Sequence, residues 1–423
     1  MDNLNNNRTP NNDAFYDVVV VGGGAAGCAV SASLLKRSPG LRIAVIEPKD
    51  KHYYQPGWTL VGAGIFTPQK TERNMRDCIP AKAEWIQAAV SEFAPEQQQV
   101  ILQDLRRVNY KALVVCPGLV FNWDAIEGAK ETLGKNGVVS NYVFDIAAKT
   151  WENVKKMQHG KAIFTQPPLP IKCAGAPQKV MYLSCDWWQK QQVLQNIQVE
   201  YCSAGDALFG CAPYIPALMK YVERYRANVN FKTNLIAVDG PAGKAQFQQI
   251  DAQGNSSVIE KDFDFLHITP PQCAPEFIKN SPLSNAAGWF DIDNQTLRHT
   301  RYPDIFGMGD CISSPNSKTA AAVRKQAPVV AINLLAQLAG EPAKVEYDGY
   351  GSCPLIVERG KVVLAEYGYN GKLLPTFPLG VEPSRLAWHL KVHMMPSIYF
   401  DLMLRGHEWL AQPAALKAKT SLG

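Results

Sequence analysis

The sequence of 423 residues lacks the marks of several large protein classes. No stretch reaches the roughly 18 consecutive apolar residues of a membrane-spanning helix, so none is predicted. The net charge is only +5, which gives no reason to expect nucleic acid as a partner. Apolar residues make up 46% and charged residues 19%, as in ordinary globular proteins. The length suffices for two or three domains with a large core.

Motifs for metals and for disulfide exchange are also missing. The ten cysteines include no Cys-x-x-Cys pair, which disfavours zinc and thioredoxin-like sites. His389 and His393 lie four residues apart, but no His-Glu-x-x-His pattern occurs, so no metal is predicted. Residues 1–14 are polar and Asn-rich, without the pattern of a signal or transit peptide. We expect a disordered tail and a protein on the cytoplasmic side of the inner membrane.

A glycine motif near the start of the chain predicts a dinucleotide site. The strand 16–21 is followed by Gly22-x-Gly24-x-x-Gly27, which opens a helix, and a second strand ends at Glu47. Gly22 permits a tight turn, Gly24 lets the backbone approach a pyrophosphate, and Gly27 allows close helix–strand packing. The helix N-terminus attracts the phosphates, and Glu47 is placed to bind the ribose hydroxyls.

A second motif indicates that the dinucleotide is FAD. The stretch 301–310 ends in Gly309-Asp310 and resembles the late motif of flavoproteins with two dinucleotide-binding domains. The resemblance implies that Asp310 binds the ribityl chain of FAD. It also implies that the helix that follows points its N-terminus at the flavin, where its dipole stabilises negative charge.

The place where a nicotinamide-binding motif is expected contains prolines instead. The predicted strand 162–165 is followed by Gln-Pro-Pro-Leu-Pro-Ile-Lys and then Cys173. Proline fixes φ and has no N–H to offer a phosphate, so a pyrophosphate turn is disfavoured. Cys173 stands where nicotinamide would approach the flavin, which makes this cysteine a candidate to receive electrons from another donor.

Alternating strands and helices predict an α/β fold of two Rossmann-like dinucleotide-binding domains followed by a C-terminal region. The FAD-binding domain is predicted to comprise residues 15–128 and 280–340, with the second Rossmann-like domain at 129–279 inserted between them. Residues 341–423 form the predicted C-terminal domain.

The C-terminal domain contains an amphipathic stretch that favours a membrane surface. Residues 384–405 are predicted to form two short helices separated by Pro396, with large apolar residues interleaved with Arg, Lys and His. Trp388 and Trp409 are candidate anchors at the lipid headgroups. A pair of core or dimer helices is the alternative, and a homodimer stays open.

Four stretches of the chain resemble the sulfide:quinone oxidoreductase family, especially its mitochondrial branch. The similarity extends from about residue 16 to residue 409. It is carried by long runs of unusual composition, which are residues 52–64 (HYYQPGWTLVGAG), 170–179 (PIKCAGAPQK), 317–322 (SKTAAA) and 347–355 (YDGYGSCPL).

The resemblance implies a role for individual residues. Cys173 and Cys353 would form a redox pair, which sulfide attacks to leave a persulfide on Cys353 while Cys173 passes electrons to FAD. Gln55 and Lys318 would lie at the FAD site. Quinone would be the electron acceptor, and a small thiol, sulfite or polysulfide would carry the sulfur away. The family usually has a small residue in place of Cys116, which leaves the role of that cysteine open.

Two other functions stay open at this point. A related NADH:quinone reductase is disfavoured by the missing second glycine motif. A non-catalytic flavin-binding sulfide sensor would react once with sulfide and show no turnover with quinone. The quinone type, the sulfur acceptor and the resting form of the cysteine pair, disulfide or sulfur-bridged, are not predicted.

Overall fold

The computed structural model describes residues 14–416. The predicted disordered tail lies outside this range except for Ala14, which is the first residue of a strand. The described chain has an α/β fold with two main sheets, both built largely from parallel strands, as the sequence predicts.

The first sheet has seven strands and contains the glycine motif. Its first strand, Ala14–Val21, is central, since the residues from Val18 to Val21 are all buried between helices. Such continuous β-branched runs are typical of strands covered on both faces. Across the sheet the strands are Glu84–Ile86, Ile43–Ile46, Ala14–Val21, Arg107–Val115, Gln99–Leu102 and Val90–Ala94, with Ile305–Gly307 also paired to Arg107–Val115.

The second sheet has five parallel strands and belongs to the inserted part of the chain. Their order is Val138–Val139, Phe265–His267, Gly160–Gln166, Ile197–Ser203 and Asn228–Asn230. An antiparallel meander lies in the chain between the strands Asn228–Asn230 and Phe265–His267, and is made of Thr233–Asp239, Lys244–Ile250 and Ser256–Asp262.

Helices cover both sheets. The longer ones are Ala25–Arg37, Phe144–Lys156, Ala176–Lys190, Ile215–Arg224 and Ala320–Leu338. Four-residue helices are Trp58–Val61, Met75–Cys78, Ala129–Thr132 and Glu276–Lys279. No helix within residues 14–416 is both long and apolar enough to cross a membrane.

The strands Gly351–Glu358 and Lys361–Tyr367 form an antiparallel pair, which we call the C-terminal hairpin. Its residues are almost all buried, because one face packs on the core of the first sheet and the other on that of the second. The hairpin therefore joins the two halves of the molecule.

The predicted break at Pro396 is wrong. The backbone stays helical from Arg385 to Arg405, with wider π-type turns at Leu390–Met394 and Ile398–Leu402. Pro396 comes directly after the π-type stretch Leu390–Met394, and such wider turns occur where the regular α-helical hydrogen-bond pattern changes. The proline is thus accommodated at a change of helical type instead of ending the helix.

Candidate active site

The glycine turn forms a close-packed edge of a cavity. Gly22 has a φ of +106°, and a Cβ there would lie 2.6 Å from the carbonyl oxygen of Cys116. A Cβ on Gly27 would lie 1.8 Å from the carbonyl oxygen of Gly22, so the helix Ala25–Arg37 packs directly on the turn. Gly24 differs, because nothing lies within 4 Å of its Cβ position. That open space is where a ligand can approach the backbone.

Groups that suit a dinucleotide surround this open space. The helix Ala25–Arg37 begins without a side-chain cap, so its first N–H groups are free to bind an anion. One carboxylate oxygen of Glu47 accepts a hydrogen bond from the N–H of Gly23 at 2.9 Å, and the other from that of Lys49 at 3.0 Å. Glu47 is thereby held at the same cavity, beside the position expected for a ribose.

Asp310 and Lys318 lie at the same cavity from the other side. The helix that follows begins at Ala320, where the Thr319 hydroxyl accepts a hydrogen bond from the N–H of Ala322 at 3.1 Å. Burial raises the pKa of Asp310, and the nearby Lys318 ammonium opposes that shift. The Lys318 ammonium donates to the carbonyl of Ile312 at 2.9 Å.

The two predicted redox cysteines meet although they are 180 residues apart in the chain, with their sulfur atoms separated by 3.6 Å. Cys173 belongs to the proline-rich turn, and Cys353 to the C-terminal hairpin. A Cβ on Gly175 would lie 2.6 Å from the Cys353 sulfur, so a glycine is needed there for the hairpin to approach the turn.

The backbone of Cys173 is held in an unusual conformation. Its φ is +53°, a left-handed value that is uncommon for residues other than glycine. The N–H of Cys173 donates to the carbonyl of Lys318 at 2.9 Å, and its carbonyl accepts from the N–H of Ala176 at 2.7 Å. The first bond ties the cysteine to the residues just before the helix Ala320–Leu338, and the second ties it to the start of the helix Ala176–Lys190.

Cationic side chains surround the cysteine pair. The Lys179 ammonium lies 3.1 Å from the Cys173 sulfur. The hydrogen bond from Cys353 lowers the pKa of Cys173 well below its usual value, and Lys179 acts in the same direction against the effect of burial. The same hydrogen bond, together with burial, raises the pKa of Cys353. In the reduced pair, Cys173 is therefore the thiolate and Cys353 the thiol.

The sequence reasoning missed Lys391 and left the direction of Lys179 open. Lys391 is 2% exposed and donates to the carbonyl of Pro56 at 3.0 Å. Burial lowers the pKa of Lys391 to about 7, and repulsion from Lys179 adds to that effect. The only signal in the sequence is a lysine flanked by apolar residues, and in the stretch 384–405 that pattern predicts a membrane surface.

Gln55 and Lys172 connect the first domain to the cysteine turn. Gln55 lines the cavity, and its side-chain oxygen accepts a hydrogen bond from the Lys172 ammonium. That ammonium lies 4.5 Å from the centre of the Phe121 ring and 5.3 Å from that of Trp58. Burial lowers the pKa of Lys172 to about 8.

The remaining cysteines near the cavity have the properties of core thiols. Burial raises the pKa of Cys78 to about 11 and that of Cys311 to about 12. It also raises the pKa of Cys116, whose sulfur lies 3.8 Å from the carbonyl oxygen of Gly22. A neutral buried thiol is a poor nucleophile, which separates these three from Cys173.

Most of these groups line one cavity of about 590 Å³. It runs from Glu47 past the glycine turn to Asp310 and Cys173, and continues to Lys391 and the C-terminal hairpin. A helix N-terminus for phosphates, carboxylates for hydroxyl groups and a thiolate at the far end fit FAD laid along the cavity. The residues that line it include the predicted Gly22, Gly24, Glu47, Gln55, Asp310, Lys318 and Cys173. The predicted Gly27 and Cys353 do not line it, since Gly27 packs against Gly22 and the Cys353 sulfur lies against that of Cys173.

Comparison with known proteins shows which family the chain resembles. Residues 16–156 match the family described as pyridine nucleotide-disulphide oxidoreductase. A mitochondrial sulfide:quinone oxidoreductase of Mus musculus is 37% identical over 409 residues, which cover 96% of this chain and 90% of that protein. The Dictyostelium discoideum protein of the same name is 39% identical over 92% of this chain and 86% of its own.

A solved structure shows the same fold. The sulfide:quinone oxidoreductase of the hyperthermophilic bacterium Aquifex aeolicus superposes with a TM-score of 0.80, covering 96% of this chain and 98% of that one, at 16% identity. Sequence identity well above 30% over nearly the whole chain is decisive for the family. The chain belongs to the sulfide:quinone oxidoreductase family.

Proposed function

We propose that this protein oxidises sulfide and reduces a quinone, with FAD carrying the electrons between them. The protein is an FAD-dependent oxidoreductase by its family. The single observation that supports the proposed chemistry most strongly is the pair of cysteine sulfurs 3.6 Å apart, one of them at the edge of the FAD cavity. Cys173 and Cys353 are therefore our proposed catalytic residues.

The first step uses the oxidised pair. Hydrosulfide attacks the sulfur of Cys353, the bond to Cys173 breaks, and the products are a Cys353 persulfide and a Cys173 thiolate. The Lys179 ammonium at 3.1 Å stabilises this leaving thiolate, which lowers the barrier of the attack. Cys173 is the better leaving group because its pKa is lowered whereas that of Cys353 is raised.

The second step returns the pair to its oxidised form. A nucleophilic acceptor such as a small thiol or sulfite takes the outer sulfur of the persulfide and leaves a Cys353 thiolate. The bond between the two cysteines then forms again, which releases two electrons. When bound, FAD accepts two electrons at its isoalloxazine ring and passes them to a quinone.

The cycle starts from a direct disulfide of the pair, with an S–S bond of about 2.05 Å, and a sulfur-bridged resting form is the alternative. The distance of 3.6 Å between the two sulfurs belongs to the reduced, hydrogen-bonded pair. Mass spectrometry of the oxidised, unreduced protein distinguishes the two forms by the mass of one sulfur atom.

We propose that the C-terminal region meets the membrane and admits the quinone. Large apolar side chains are exposed there, namely Leu386, Met394, Trp409 and Leu410. A surface of this kind, with the exposed Arg385 and His393 nearby in the chain, suits peripheral binding at the headgroups. The domain boundaries and the cytoplasmic location stay predictions, as do binding of a thiol or sulfite and dimerisation.

The decisive experiment mixes the oxidised holoenzyme with sulfide in the absence of oxygen. The proposal predicts loss of the flavin absorption band and its return when a short-chain quinone is added. NADH, added instead of sulfide, is expected to leave the flavin oxidised, since Pro167, Pro168 and Pro170 occupy the turn that would hold its pyrophosphate. A flavin that NADH reduces rapidly and sulfide does not would support the NADH:quinone reductase. Reduction by sulfide without reoxidation by quinone would support the sensor.

A further inference from the structure

The helical segment Arg385–Arg405, which we call the C-terminal helix, has one face inside the cavity that fits FAD. Among the side chains that line this cavity are Lys391, Met395, Tyr399 and Met403, each four residues after the previous one. Residues spaced in this way lie on one face of a helix. The inner face of the C-terminal helix is therefore a wall of the cavity.

The outer face of the same helix is exposed and largely apolar. Leu386 and Met394 are 65% and 51% exposed, and neither lines the cavity. The exposed imidazoles of His389 and His393 stack between them, with their ring centres 5.5 Å apart. Large apolar side chains next to polar, cation-forming ones are typical of a helix that lies in a lipid surface.

The charges around the outer face are mainly positive. Arg385 and Arg405 are exposed at the two ends of the helix. The exposed Arg73 lies beside it, with its guanidinium carbon 4.6 Å from the centre of the Phe400 ring. Asp401 is the one acidic residue of the helix. This balance favours a lipid surface with anionic headgroups over a neutral one.

The inner face is connected to the glycine turn by hydrogen bonds. The Nδ1 of the buried His52 lies 3.2 Å from the carbonyl oxygen of Gly23, and its Nε2 lies 2.8 Å from the Tyr399 hydroxyl. Burial lowers the pKa of His52 to about 4, so the imidazole is neutral and has a single N–H. Because a carbonyl only accepts, Nδ1 donates to Gly23, and Nε2 accepts from the Tyr399 hydroxyl.

Two further contacts join the C-terminal helix to elements of the FAD cavity. The Lys391 ammonium donates to the carbonyl of Pro56 at 3.0 Å, in a stretch that lines the cavity. Gly406 follows the helix directly, and a Cβ there would lie 2.9 Å from the backbone of Ala32. Ala32 belongs to the helix Ala25–Arg37, which begins at the glycine turn. A change in the position of the C-terminal helix is thus felt where the dinucleotide is expected to bind.

We propose that the outer face of the C-terminal helix binds an anionic lipid surface, and that lipid and FAD strengthen each other's binding through this helix, with the bond between Tyr399 and His52 as the link. The lipid surface rests on the proposed function, and its coupling to FAD goes beyond that function. A protein that has reached the membrane would hold its cofactor more tightly than one that has not.

The coupling follows from one helix with two faces to cover. Helices in proteins gain most of their stability from the packing of their faces. Two stretches of this helix, Leu390–Met394 and Ile398–Leu402, are π-type, so regular α-helical hydrogen bonds do not set its shape. FAD covers the inner face and lipid the outer face, and each orders the same residues. The entropy of ordering is lost once, so the second ligand binds more tightly, and the effect is reciprocal.

The test measures the release of FAD from the holoenzyme after dilution, without sulfide or quinone. The fluorescence of free FAD is followed in buffer, with vesicles of phosphatidylcholine, and with vesicles that contain about 30% phosphatidylglycerol. Sedimentation of the same samples gives the fraction of protein bound to the vesicles. We expect binding to the anionic vesicles and release there slowed by roughly 5- to 20-fold. Phosphatidylcholine alone should bind less protein and slow release less.

Three variants assign the effect to the two faces. Leu386→Asp combined with Met394→Asp should abolish vesicle binding and the slowing, while release in buffer stays within about twofold of wild type. Val258→Asp is the matched control, because Val258 is 62% exposed on the meander strand Ser256–Asp262, and it should behave as wild type. Tyr399→Phe keeps the ring and loses the bond to His52, so it should bind vesicles normally and show a smaller slowing.

The outcomes separate the inference from the proposed function. Wild-type holoenzyme that binds the anionic vesicles but releases FAD as fast as in buffer would overturn the coupling. Slowing that persists in the double variant would overturn the role of the outer face, and full slowing in Tyr399→Phe would overturn the link. Equal binding to both kinds of vesicle would overturn the preference for anionic lipid. Holoenzyme that binds no vesicles would refute the membrane part of the proposed function, and the inference with it. Failure of the sulfide chemistry would appear only in turnover.

Discussion

The two main sheets each contain a strand followed by a turn and a helix. The two turns differ in their residues and in the chemical groups that they present. In the first sheet, the strand Ala14–Val21 passes through three glycines in succession, and the helix begins at Ala25. In the second, the strand Gly160–Gln166 is followed by a proline-rich loop, and the helix begins only at Ala176. The first turn presents backbone N–H groups, and the second presents the thiol of Cys173.

The difference shows how one supersecondary unit is adapted to two tasks. Glycines let the backbone come close to a phosphate, whereas prolines remove N–H groups and stiffen the chain. A longer loop also reaches further, and the N–H of Cys173 thereby pairs with the carbonyl of Lys318 in the other half of the molecule. The place in the fold where a second dinucleotide would bind is thus taken by a turn that holds a reactive cysteine.

Removing the sulfur from the second turn should have the largest effect on activity. We expect Cys173→Ser and Cys353→Ser each to lower sulfide-dependent quinone reduction by roughly 10³-fold or more, because a hydroxyl cannot form the persulfide or the bridge. FAD content, measured by absorbance after purification, should be unchanged. Cys273→Ser is a suitable control, since Cys273 is half-buried outside the cavity. Normal turnover in either active-site variant would remove that cysteine from the mechanism.

In the first turn, the packing glycine should matter for folding itself. Gly27→Ala places a methyl group 1.8 Å from the carbonyl oxygen of Gly22, a backbone atom that cannot rotate away. We expect a loss of about 3 kcal/mol or more in the free energy of unfolding, because the helix must shift from the sheet. Thermal unfolding of the FAD-free protein measures it. An unchanged Tm would mean that the turn is looser than its geometry indicates.

Gly24→Ala is the matched opposite case in the same turn. Nothing lies within 4 Å of the Gly24 Cβ position, so the FAD-free variant should keep nearly the stability of the wild type. Its methyl group would occupy the space into which the pyrophosphate is expected to fit, and FAD affinity should fall about 10- to 100-fold. Titration of the FAD-free protein with FAD gives the Kd. Equal effects of Gly24→Ala and Gly27→Ala on folding would contradict the assignment of separate roles to these glycines.

The role of a residue can be predicted from the sequence when neighbouring residues in the chain determine it. The glycine turn, the proline-rich turn that replaces a second glycine motif, and the helix after Asp310 are each predicted from neighbouring residues. The structure has all three at the predicted positions. Lys391 reaches the cysteine pair from a distant element, which no local pattern encodes. Lys179 is near Cys173 in the chain, but the direction of its side chain depends on how the turn meets the helix Ala176–Lys190. The helical path through Pro396 depends on π-type turns that proline rules alone do not foresee. The pairing of Ser352 with Glu366 in the C-terminal hairpin depends on the strand register, which the sequence alone does not determine.

The smallest expected effect concerns the charge beside Cys173. The lowered pKa of Cys173 means that its sulfur stays ionised at a lower pH than the sulfur of an ordinary cysteine. Three groups lower this pKa, namely Cys353, Lys179 and Lys391, and Lys179→Met removes one of them. The pKa of Cys173 should rise, and alkylation by iodoacetamide at a pH below the pKa should slow by about tenfold for each pKa unit regained. The pH at which alkylation is half-maximal should move upward by the same amount. Lys190→Gln on the same helix is the control, because that ammonium pairs with Asp186. If the two variants give the same curve as wild type, Cys353 and Lys391 set the pKa of Cys173, and the reactive turn owes its chemistry to these C-terminal residues and not to its own helix.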